Sequence, residues 1–459
     1  MLRSSKNIAL IDDAGRSMTY SELIDLVGVI GQYIDVRGLL LLKCDNSISS
    51  ILFYVACLEL KVPVMLIDDK TSDGELESII EEYKPYYLVI RGEAGCSGRY
   101  EKLYSRDEFS LLVCTEKPRT KILGELALLL STSGSTGSKK FVRLSYASIY
   151  ANTDSIIEYL NLTESDVAIT TMPMSYTFGL SIINSHLSMG AKIVVTKCTT
   201  LQRGFWDQVS NQKVTSLSGV PYLFEVMIKT GLLKRDLPNV KTITQAGGKL
   251  NAALKRRLLD YCEQSKKKLY VMYGQTEATA RMSYVPPHKL RDKIDSIGIS
   301  VSGGALEVLS DVGVALSPHE RGEIVYTGPN VSLGYAEKIS DLNLDDTLDG
   351  KLYTGDVGYR DEDGFFFVVG RNKRFAKVFG LRLSLDELED LLVYSFPHLD
   401  FMCKDNEGTI EILFSGGDLD INDATKIVSN STKIHRSAFK FEKISHVPRN
   451  DRGKKVYGD

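Results

Sequence analysis

Hydrophobic positions between residues 19 and 277 follow two patterns, short apolar runs and longer stretches with helical spacing. Apolar residues from Leu23 to Ile34 recur at helical spacing directly after Thr19-Tyr-Ser-Glu22, which matches a capping box, so a helix of about four turns is predicted there. Further helices then alternate with apolar runs of strand length. Such alternation is typical of βαβ units and predicts an α/β domain built on largely parallel sheets.

The predicted elements can be given in chain order. After the first helix, the predicted strands are 38–42, 62–67, 86–90, 126–130, 167–172, 192–195, 214–219, 240–245 and 269–272. The predicted helices are 47–60, 72–83, 145–160, 205–210, 252–265, an apolar helix between 180 and 192, and one that begins at 221. The charged, irregular segment 91–121 is predicted to be a connection that leads to the strand beginning at 126.

From Ser283 the pattern changes to shorter strands separated by turn residues. The predicted strands are 305–309, 323–327, 352–354 and 365–369, which indicates a small antiparallel barrel or sheet. Four polar residues, 371–374, follow Gly370. We therefore predict an N-terminal domain of residues 1–370 and a compact α+β domain of residues 371–459.

Composition and charge limit the function classes. A chain of 459 residues corresponds to roughly three lobes at about 150 residues per domain. The net charge of −3 gives no global basic field, so nucleic acid is not favoured as a partner. The seven cysteines are scattered without a C-x-x-C pair, which argues against a disulfide framework or a structural zinc site. We find no signal peptide and no apolar run of about 18 residues, so we expect a cytosolic protein without a membrane span.

A segment rich in glycine and hydroxyl groups follows the predicted strand 126–130. It consists of Ser131, Thr132, Ser133, Gly134, Ser135, Thr136, Gly137, Ser138, Lys139 and Lys140. Glycines let backbone N–H groups converge on an anion, and hydroxyls and a lysine add donors and positive charge, so this composition favours a polyphosphate. The segment is not a Walker loop, which has four residues between its glycines. A flexible linker is the alternative interpretation.

Two more glycine-containing segments follow predicted strands. They are Ala246-Gly247-Gly248 and Tyr273-Gly274-Gln275-Thr276-Glu277. Ligands of open parallel sheets lie beyond the carboxyl ends of the strands, so we expect these segments to share one nucleotide site.

Five motifs, taken in order, resemble those of the adenylate-forming superfamily, which includes acyl-CoA synthetases, adenylation domains of peptide synthetases and firefly luciferase. The motifs are 131–140, Tyr273 to Glu277, Tyr353-Thr-Gly-Asp356, Gly370-Arg371 with Lys377 and Gly380, and Arg452-Gly-Lys454. The resemblance covers nearly the whole chain. It implies a two-step ligase in which a carboxylate attacks the α-phosphorus of ATP, pyrophosphate leaves, and the acyl group then passes to a pantetheine thiol of CoA or of a carrier protein.

The resemblance also implies roles for individual residues. The loop formed by Ser131, Thr132, Ser133, Gly134, Ser135, Thr136, Gly137 and Lys140 would hold the β and γ phosphates. Glu277 would bind Mg²⁺, with Thr276 on phosphate and Tyr273, next to Gly274, on adenine. Gly247 and Gly248 would allow close approach to the base and the acyl group, and Asp356 with Arg371 would bind the ribose. Lys454 would be the catalytic lysine, with Lys455 as a rival. Lys373 would form the hinge of a mobile C-terminal domain, and Lys377 and Gly380 would contact the thiol arm.

The sequence specifies the carboxylic acid substrate less closely than it specifies the nucleotide. Tyr176, Phe178, Val220, Tyr222 and Gly247 would form a largely apolar pocket, consistent with a fatty or aryl acid. Residues 173–180 contain no aspartate for an α-ammonium group, which favours a non-amino acid. Tyr176 also stands where many acyl-CoA synthetases have histidine. The alternatives are an amino-acid-adenylating enzyme, a nucleotide-binding relative without turnover, and a luciferase-like oxygenase.

Overall fold

The computed structural model of the chain describes residues 2–92, 98–118, 120–131, 140–379, 381–406, 408–449 and 455–457. Ten α-helices lie within these ranges: α1 (Tyr20–Gly31), α2 (Ile48–Glu59), α3 (Asp73–Tyr83), α4 (Tyr146–Leu160), α5 (Thr177–Met189), α6 (Arg203–Asn211), α7 (Pro221–Lys229), α8 (Ala252–Gln264), α9 (Leu385–Ser395) and α10 (Ile421–Thr432). Among the helices of the described ranges, none has both the length and the apolar character that crossing a bilayer requires.

The strands fall into three groups along the chain. Those before α4 are β1 (Ile8–Asp12), β2 (Ser17–Thr19), β3 (Leu40–Cys44), β4 (Val64–Asp68), β5 (Tyr87–Arg91), β6 (Tyr100–Arg106), β7 (Phe109–Cys114), β8 (Leu126–Ser131) and β9 (Phe141–Ser145). Those from α4 to residue 300 are β10 (Val167–Ile169), β11 (Lys192–Val195), β12 (Ser216–Gly219), β13 (Thr242–Gln245), β14 (Lys268–Tyr273), β15 (Ser283–Val285) and β16 (Ile299–Ser300). The remainder are β17 (Ala305–Leu309), β18 (Gly322–Thr327), β19 (Tyr335–Ala336), β20 (Lys351–Arg360), β21 (Phe366–Arg371), β22 (Phe375–Val378), β23 (Leu381–Ser384), β24 (Asp400–Asn406), β25 (Thr409–Ser415) and β26 (Phe439–Lys443).

Local sequence sets the helix starts. The predicted capping box is confirmed at α1, where Thr19 accepts a hydrogen bond from the Glu22 amide and Glu22 accepts one from the Thr19 amide at 2.7 Å. Ser72 caps α3 in the same way by accepting from the Glu75 amide. Each cap satisfies amide groups that the first helical turn leaves without partners.

Two large sheets form the N-terminal part, and their central strands are parallel. One has the strand order β2-β1-β11-β10-β12-β13-β14-β15-β16, and the other has the order β19-β9-β8-β4-β3-β5-β7-β6. Helix α2 is buried from Ile48 to Leu58 and α5 from Thr177 to Leu187, so both are enclosed on all sides. A helix enclosed on all sides belongs to the core, and here one core cluster contains α2, α5 and strands of both sheets. The predicted α/β class is confirmed.

The prediction for segment 91–121 was wrong in part, because β6 and β7 form an antiparallel hairpin on the edge of the second sheet. The charged residues of β6 lie on the solvent side of an edge strand, whereas Phe109 to Leu112 of β7 are buried. Charged residues on an exposed strand face interrupt the apolar run by which a strand is recognised in a sequence.

The remaining strands form smaller antiparallel units. In one of them, β17, β18, β20 and β21 are hydrogen-bonded in this order, as predicted for residues 305–369. Strands β20 and β21 place Asp356 opposite Arg371. After Arg371, the pair β22-β23, the sheet β24-β25-β26 and helices α9 and α10 share their own core cluster. The division into domains at residues 370 and 371 stays a prediction.

Candidate functional site

The candidate site lies where strands of different sheets end. Strand β13 ends at Gln245 and its parallel neighbour β14 ends at Tyr273, so the two glycine-containing segments that follow them begin at the same sheet edge. Ser131 ends β8 of the other large sheet, and its partner in the register is Phe141, next to Lys140.

Gly274 is required by the turn after β14. A Cβ atom at this position would lie 1.7 Å from the carbonyl oxygen of Ala280. The chain folds back on itself here, with Thr279 and Ala280 at positive φ angles of 61° and 155°. These non-glycine residues in a rarely populated region indicate a turn that the surrounding structure fixes.

Asp356 is the centre of the first polar cluster. It is buried, and its carboxylate accepts hydrogen bonds from the Tyr273 hydroxyl and, at 3.0 Å, from Nε2 of Gln275. Nε of Arg371 lies 3.1 Å from its Oδ1. The Asp356 charge raises the pKa of Arg371, while burial and the same carboxylate raise the pKa of Tyr273 well above its usual value. The hydrogen bonds and the Arg371 contact therefore hold the Asp356 carboxylate in a fixed orientation.

Glu277 belongs to a second polar cluster with Tyr335 and Lys140. The Tyr335 hydroxyl donates to Oε1 of Glu277 at 2.8 Å. The ammonium of Lys140 lies 3.9 Å from the centre of the Tyr335 ring, and 4.0 Å from a carboxylate oxygen of Glu337. Burial, followed by the Glu277 charge, raises the pKa of the Tyr335 phenol. The structure thus brings together Glu277 and Lys140, which belong to different predicted motifs.

The described side chains around Glu277 supply only part of the oxygen ligands that a hard cation such as Mg²⁺ needs. Glu277 supplies carboxylate oxygens, which Mg²⁺ prefers. In the described part of the chain, there is no group of three or more His, Cys, Asp or Glu residues arranged to hold a metal ion. A cation at Glu277 would therefore need further oxygen ligands, such as phosphate groups or water.

The predicted acyl-pocket residues lie at different depths. Tyr176, Phe178 and Val220 are buried in one hydrophobic cluster, whereas Tyr222 on α7 is 50% exposed. A Cβ atom on Gly247 would lie 2.6 Å from the Tyr176 hydroxyl, so the glycine lets the phenol and the backbone approach closely. A Cβ atom on Gly248 would lie 3.3 Å from Cγ of Pro221.

Several predicted residues cannot be placed. Outside the described residues are Thr132, Ser133, Gly134, Ser135, Thr136, Gly137, Gly380 and Lys454. Lys373 and Lys377 lie on described backbone, but their side chains are outside the described part. Thr276 is buried next to Glu277, and Ser131 is partly buried at the end of β8.

Lys455, the rival to Lys454, is bound within the C-terminal region. Its ammonium donates to Oε2 of Glu389 at 2.6 Å and to the Phe401 carbonyl. Arg374 and the Tyr457 hydroxyl also contact the buried Glu389 carboxylate. This pairing gives Lys455 a structural role, and the catalytic role of Lys454 stays a prediction.

Sequence reasoning missed Tyr335, and it missed Gln275 as a hydrogen-bond partner of Asp356. Gln275 could have been found, because it lies inside a recognised motif. Tyr335 lies in a two-residue strand, 58 residues from Glu277, and carries no local signal.

The chain belongs to the family of AMP-binding enzymes, which it matches over residues 2–336. The resemblance to adenylate-forming enzymes is thereby confirmed. A 2-succinylbenzoate–CoA ligase from Geobacillus sp. (strain WCH70) is 29% identical over 269 residues, which cover 59% of this chain and 53% of that protein. A probable 4-coumarate–CoA ligase 2 from Dictyostelium discoideum is 30% identical over 293 residues, covering 62% of this chain and 52% of that protein. These two alignments therefore span about half the length of each relative.

Solved structures share the fold over a longer range. O-succinylbenzoate CoA synthetase (MenE) from Bacillus subtilis, in complex with AMP, has a TM-score of 0.79 at 21% identity, covering 98% of this chain and 94% of that chain. The same enzyme with ATP and magnesium has a TM-score of 0.78 at 21% identity, covering 98% and 96% of the two chains. The likeness extends through the C-terminal region.

Proposed function

We propose that the protein is an ATP-dependent acid–thiol ligase that activates a carboxylic acid as its adenylate and transfers the acyl group to a pantetheine thiol. The observation that carries the proposal is that two polar clusters share the segment 273–277, which follows β14: Tyr273 and Gln275 belong to one cluster, and Glu277 belongs to the other. One cluster holds the Asp356 carboxylate with Arg371, and the other joins Glu277 to Lys140 through Tyr335. A ribose and a magnesium-bound triphosphate need these two kinds of groups.

Bound ATP supplies an electrophilic α-phosphorus and a pyrophosphate leaving group. Asp356 would accept the ribose hydroxyls, and its bonds from Tyr273 and Gln275 fix the carboxylate for this purpose. Lys140 and the 131–137 loop would bind the outer phosphates, and Glu277 would hold Mg²⁺ against them. Lys454 would stabilise the negative charge that builds up as the acid carboxylate approaches the α-phosphate.

For the second step we propose CoA as the acceptor, with a carrier-protein phosphopantetheine as the alternative. The names of the relatives, which are CoA ligases, support CoA. Residues 371–459 would act as the mobile lid, with Lys373 at the hinge and Lys377 and Gly380 along the thiol path. We also propose a cytosolic location, since the six cysteines in the described ranges are free thiols.

The test is pyrophosphate release from ATP and Mg²⁺ across a panel of fatty, aryl and amino acids, repeated with CoA and with a holo carrier protein. Acid-dependent release is the expected result. Release with amino acids alone would favour the amino-acid-adenylating alternative. No release with any acid, despite nucleotide binding, would favour a relative that binds nucleotide without turnover.

A further inference from the structure

Residues 330–335 form a segment that is bonded to the turn after β14. The Ser332 amide donates to the Glu277 carbonyl at 2.8 Å, and Nδ2 of Asn330 donates to the Ala278 carbonyl at 2.9 Å. Asn330 and Ser332 are both buried, and breaking a buried hydrogen bond leaves polar groups unsatisfied. The backbones of the segment and of the turn are therefore fixed relative to each other.

The same segment ends on β9, the strand that follows Lys140. Tyr335 lies opposite Val142 in the antiparallel pair of β9 and β19. Arg143 on β9 is fully buried, and its guanidinium donates to four carbonyl groups, those of Leu333, Tyr335, Leu344 and Asp345. These carbonyls satisfy the buried cation and hold the Tyr335 backbone against β9. One fixed segment thus connects the turn that carries Glu277 with the strand next to Lys140.

The side chain of Tyr335 gives each of two opposite charges a neutral partner. Its hydroxyl donates to Oε1 of Glu277 at 2.8 Å, and its ring centre lies 3.9 Å from the ammonium of Lys140. Burial, followed by the Glu277 charge, raises the pKa of the phenol, so the phenol stays neutral at physiological pH. A carboxylate and an ammonium that pair directly offset each other's charge, whereas a neutral phenol between them leaves both charges in place.

The contact of Lys140 with Glu337 does not neutralise the ammonium. Nζ lies 4.0 Å from Oε1, and the Glu337 side chain is 71% exposed, so water and salt screen this pair. Glu277 and Lys140 contact the same phenol, so its loss would let these two charges approach each other. A direct ion pair between them would have to break before a cation could bind the carboxylate and a phosphate the ammonium.

We propose that Tyr335 is a positioning residue for the metal-bound triphosphate: it keeps Glu277 and Lys140 from pairing with each other, and it turns the carboxylate so that Oε2 is left for Mg²⁺. This inference rests on the proposed ligase function and deepens it. Tyr335 takes no part in making or breaking bonds, so its loss should weaken the binding of Mg²⁺–ATP much more than it lowers kcat. A raised KM with an unchanged kcat indicates the loss of binding that the ground state and the transition state share.

Two variants separate the two contacts of Tyr335. Tyr335→Phe keeps the ring over Lys140 and removes the hydrogen bond to Glu277, whereas Tyr335→Leu removes both contacts. Calorimetric titration with ATP and Mg²⁺, in the absence of acid, measures binding, and pyrophosphate release measures kcat and KM. Tyr335→Phe should weaken Mg²⁺–ATP binding by about tenfold, the effect of one hydrogen bond to a charged group, and Tyr335→Leu should weaken it further. For both variants we expect kcat to stay within about threefold of the wild-type value.

A combination with Lys140→Met tests whether the phenol acts by keeping the two charges apart. Without the ammonium no ion pair with Glu277 can form, so Tyr335→Leu should weaken binding much less in the Lys140→Met background than in the wild-type background. A tyrosine that only supported the fold would have the same effect in both backgrounds, and that result would overturn this inference.

Tyr104→Phe is the matched control, because Tyr104 lies on the edge strand β6, where its ring centre is 5.2 Å from that of Tyr33. Its binding and turnover should equal those of the wild type. Thermal unfolding checks that each variant is folded, and if Tyr335→Leu does not fold, the binding measured for Tyr335→Phe decides the question. Unchanged binding in Tyr335→Phe would overturn this inference and leave the ligase function standing. Mg²⁺–ATP binding by the wild type without pyrophosphate release from any acid would overturn the ligase function, and the titrations would then still decide the role of Tyr335.

Discussion

Tyr335 is the residue through which Glu277 and Lys140 meet. Its hydroxyl bonds to the carboxylate and its ring faces the ammonium group, so one side chain contacts both charges. A phenol between the two groups holds them close together in place of a direct ion pair. This arrangement supports the proposed binding of a magnesium-bound triphosphate at Glu277 and Lys140.

Glu277→Gln tests the proposed metal ligand at the scale of one residue. The change keeps the size of the side chain but removes its charge, so we expect pyrophosphate release to fall roughly 10²–10³-fold, the effect of losing one preorganised electrostatic contact. Release is measured over a range of Mg²⁺ concentrations. Glu307→Gln, which alters an exposed carboxylate on β17, is the control and should behave as the wild type. Equal rates in the two variants would argue against this role of Glu277.

The buried ammonium group of Lys255 leads us to expect that the free energy of unfolding depends on pH. It is buried on α8, its ammonium donates to the Ile294 carbonyl, and burial lowers its pKa from 10.5 to about 8. Between these two pKa values the unfolded chain holds more protons than the folded protein at this residue, so its contribution to stability rises with pH. Lys255→Met should therefore be more stable relative to the wild type at pH 7 than at pH 10.

Chemical unfolding at several pH values measures this difference. The advantage of Lys255→Met should shrink by about 1.4 kcal/mol per pH unit at most between pH 8 and pH 10. A constant difference between the two proteins would show that Lys255 titrates alike in the folded and unfolded states.

At the scale of elements, the turn between β14 and β15 is the most constrained segment of the site. Gly274→Ala would place a methyl group on the Ala280 carbonyl, so the turn that carries Gln275, Thr276 and Glu277 must move. We expect loss of most adenylation activity with a weaker effect on unfolding. Activity and thermal unfolding are measured together. Gly28→Ala, on α1 with open space around the added Cβ atom, should instead keep activity and stabilise the helix by about 0.5–1 kcal/mol.

Most elements could be predicted because their patterns are local. Alternating apolar runs and helix caps indicate βαβ units, and the capping box at Thr19 fixed the start of α1 correctly. The hairpin of β6 and β7 could not be recognised in this way, because β6 is an edge strand whose exposed residues are charged. Strand β9 was also missed, because it is defined by hydrogen bonds to β8, a strand that precedes it by several residues in the sequence.

For the whole molecule, Lys454→Ala tests whether the C-terminal region supplies the catalytic lysine. We expect adenylation to fall roughly 10²–10³-fold, the effect of one lost transition-state donor, while transfer from preformed acyl-adenylate to CoA continues. The two half-reactions are assayed separately. An equal loss in both would contradict this division. Lys455→Ala should instead destabilise the C-terminal region, because the buried Glu389 would lose a partner.

The candidate site could be predicted as far as its motifs are contiguous. Asp356 and Arg371, assigned together by resemblance, indeed form an ion pair. Tyr335 could not be assigned, since its importance comes from contacts with Glu277 and Lys140 that only the folded chain creates.

The hydrogen bonds from Lys455 and Tyr457 to Glu389 limit how the last described residues of the chain can move. Lys455 and Tyr457 are bonded to the C-terminal core through Glu389, and Arg449 pairs with Lys455 across an isolated bridge. On the proposal that residues 371–459 act as a lid, Lys455 and Tyr457 would move together with α9 and β24, to which Glu389 and Phe401 belong. If that unit serves adenylation in one orientation and thiol transfer in another, as proposed, a single molecule could not carry out both steps at the same moment.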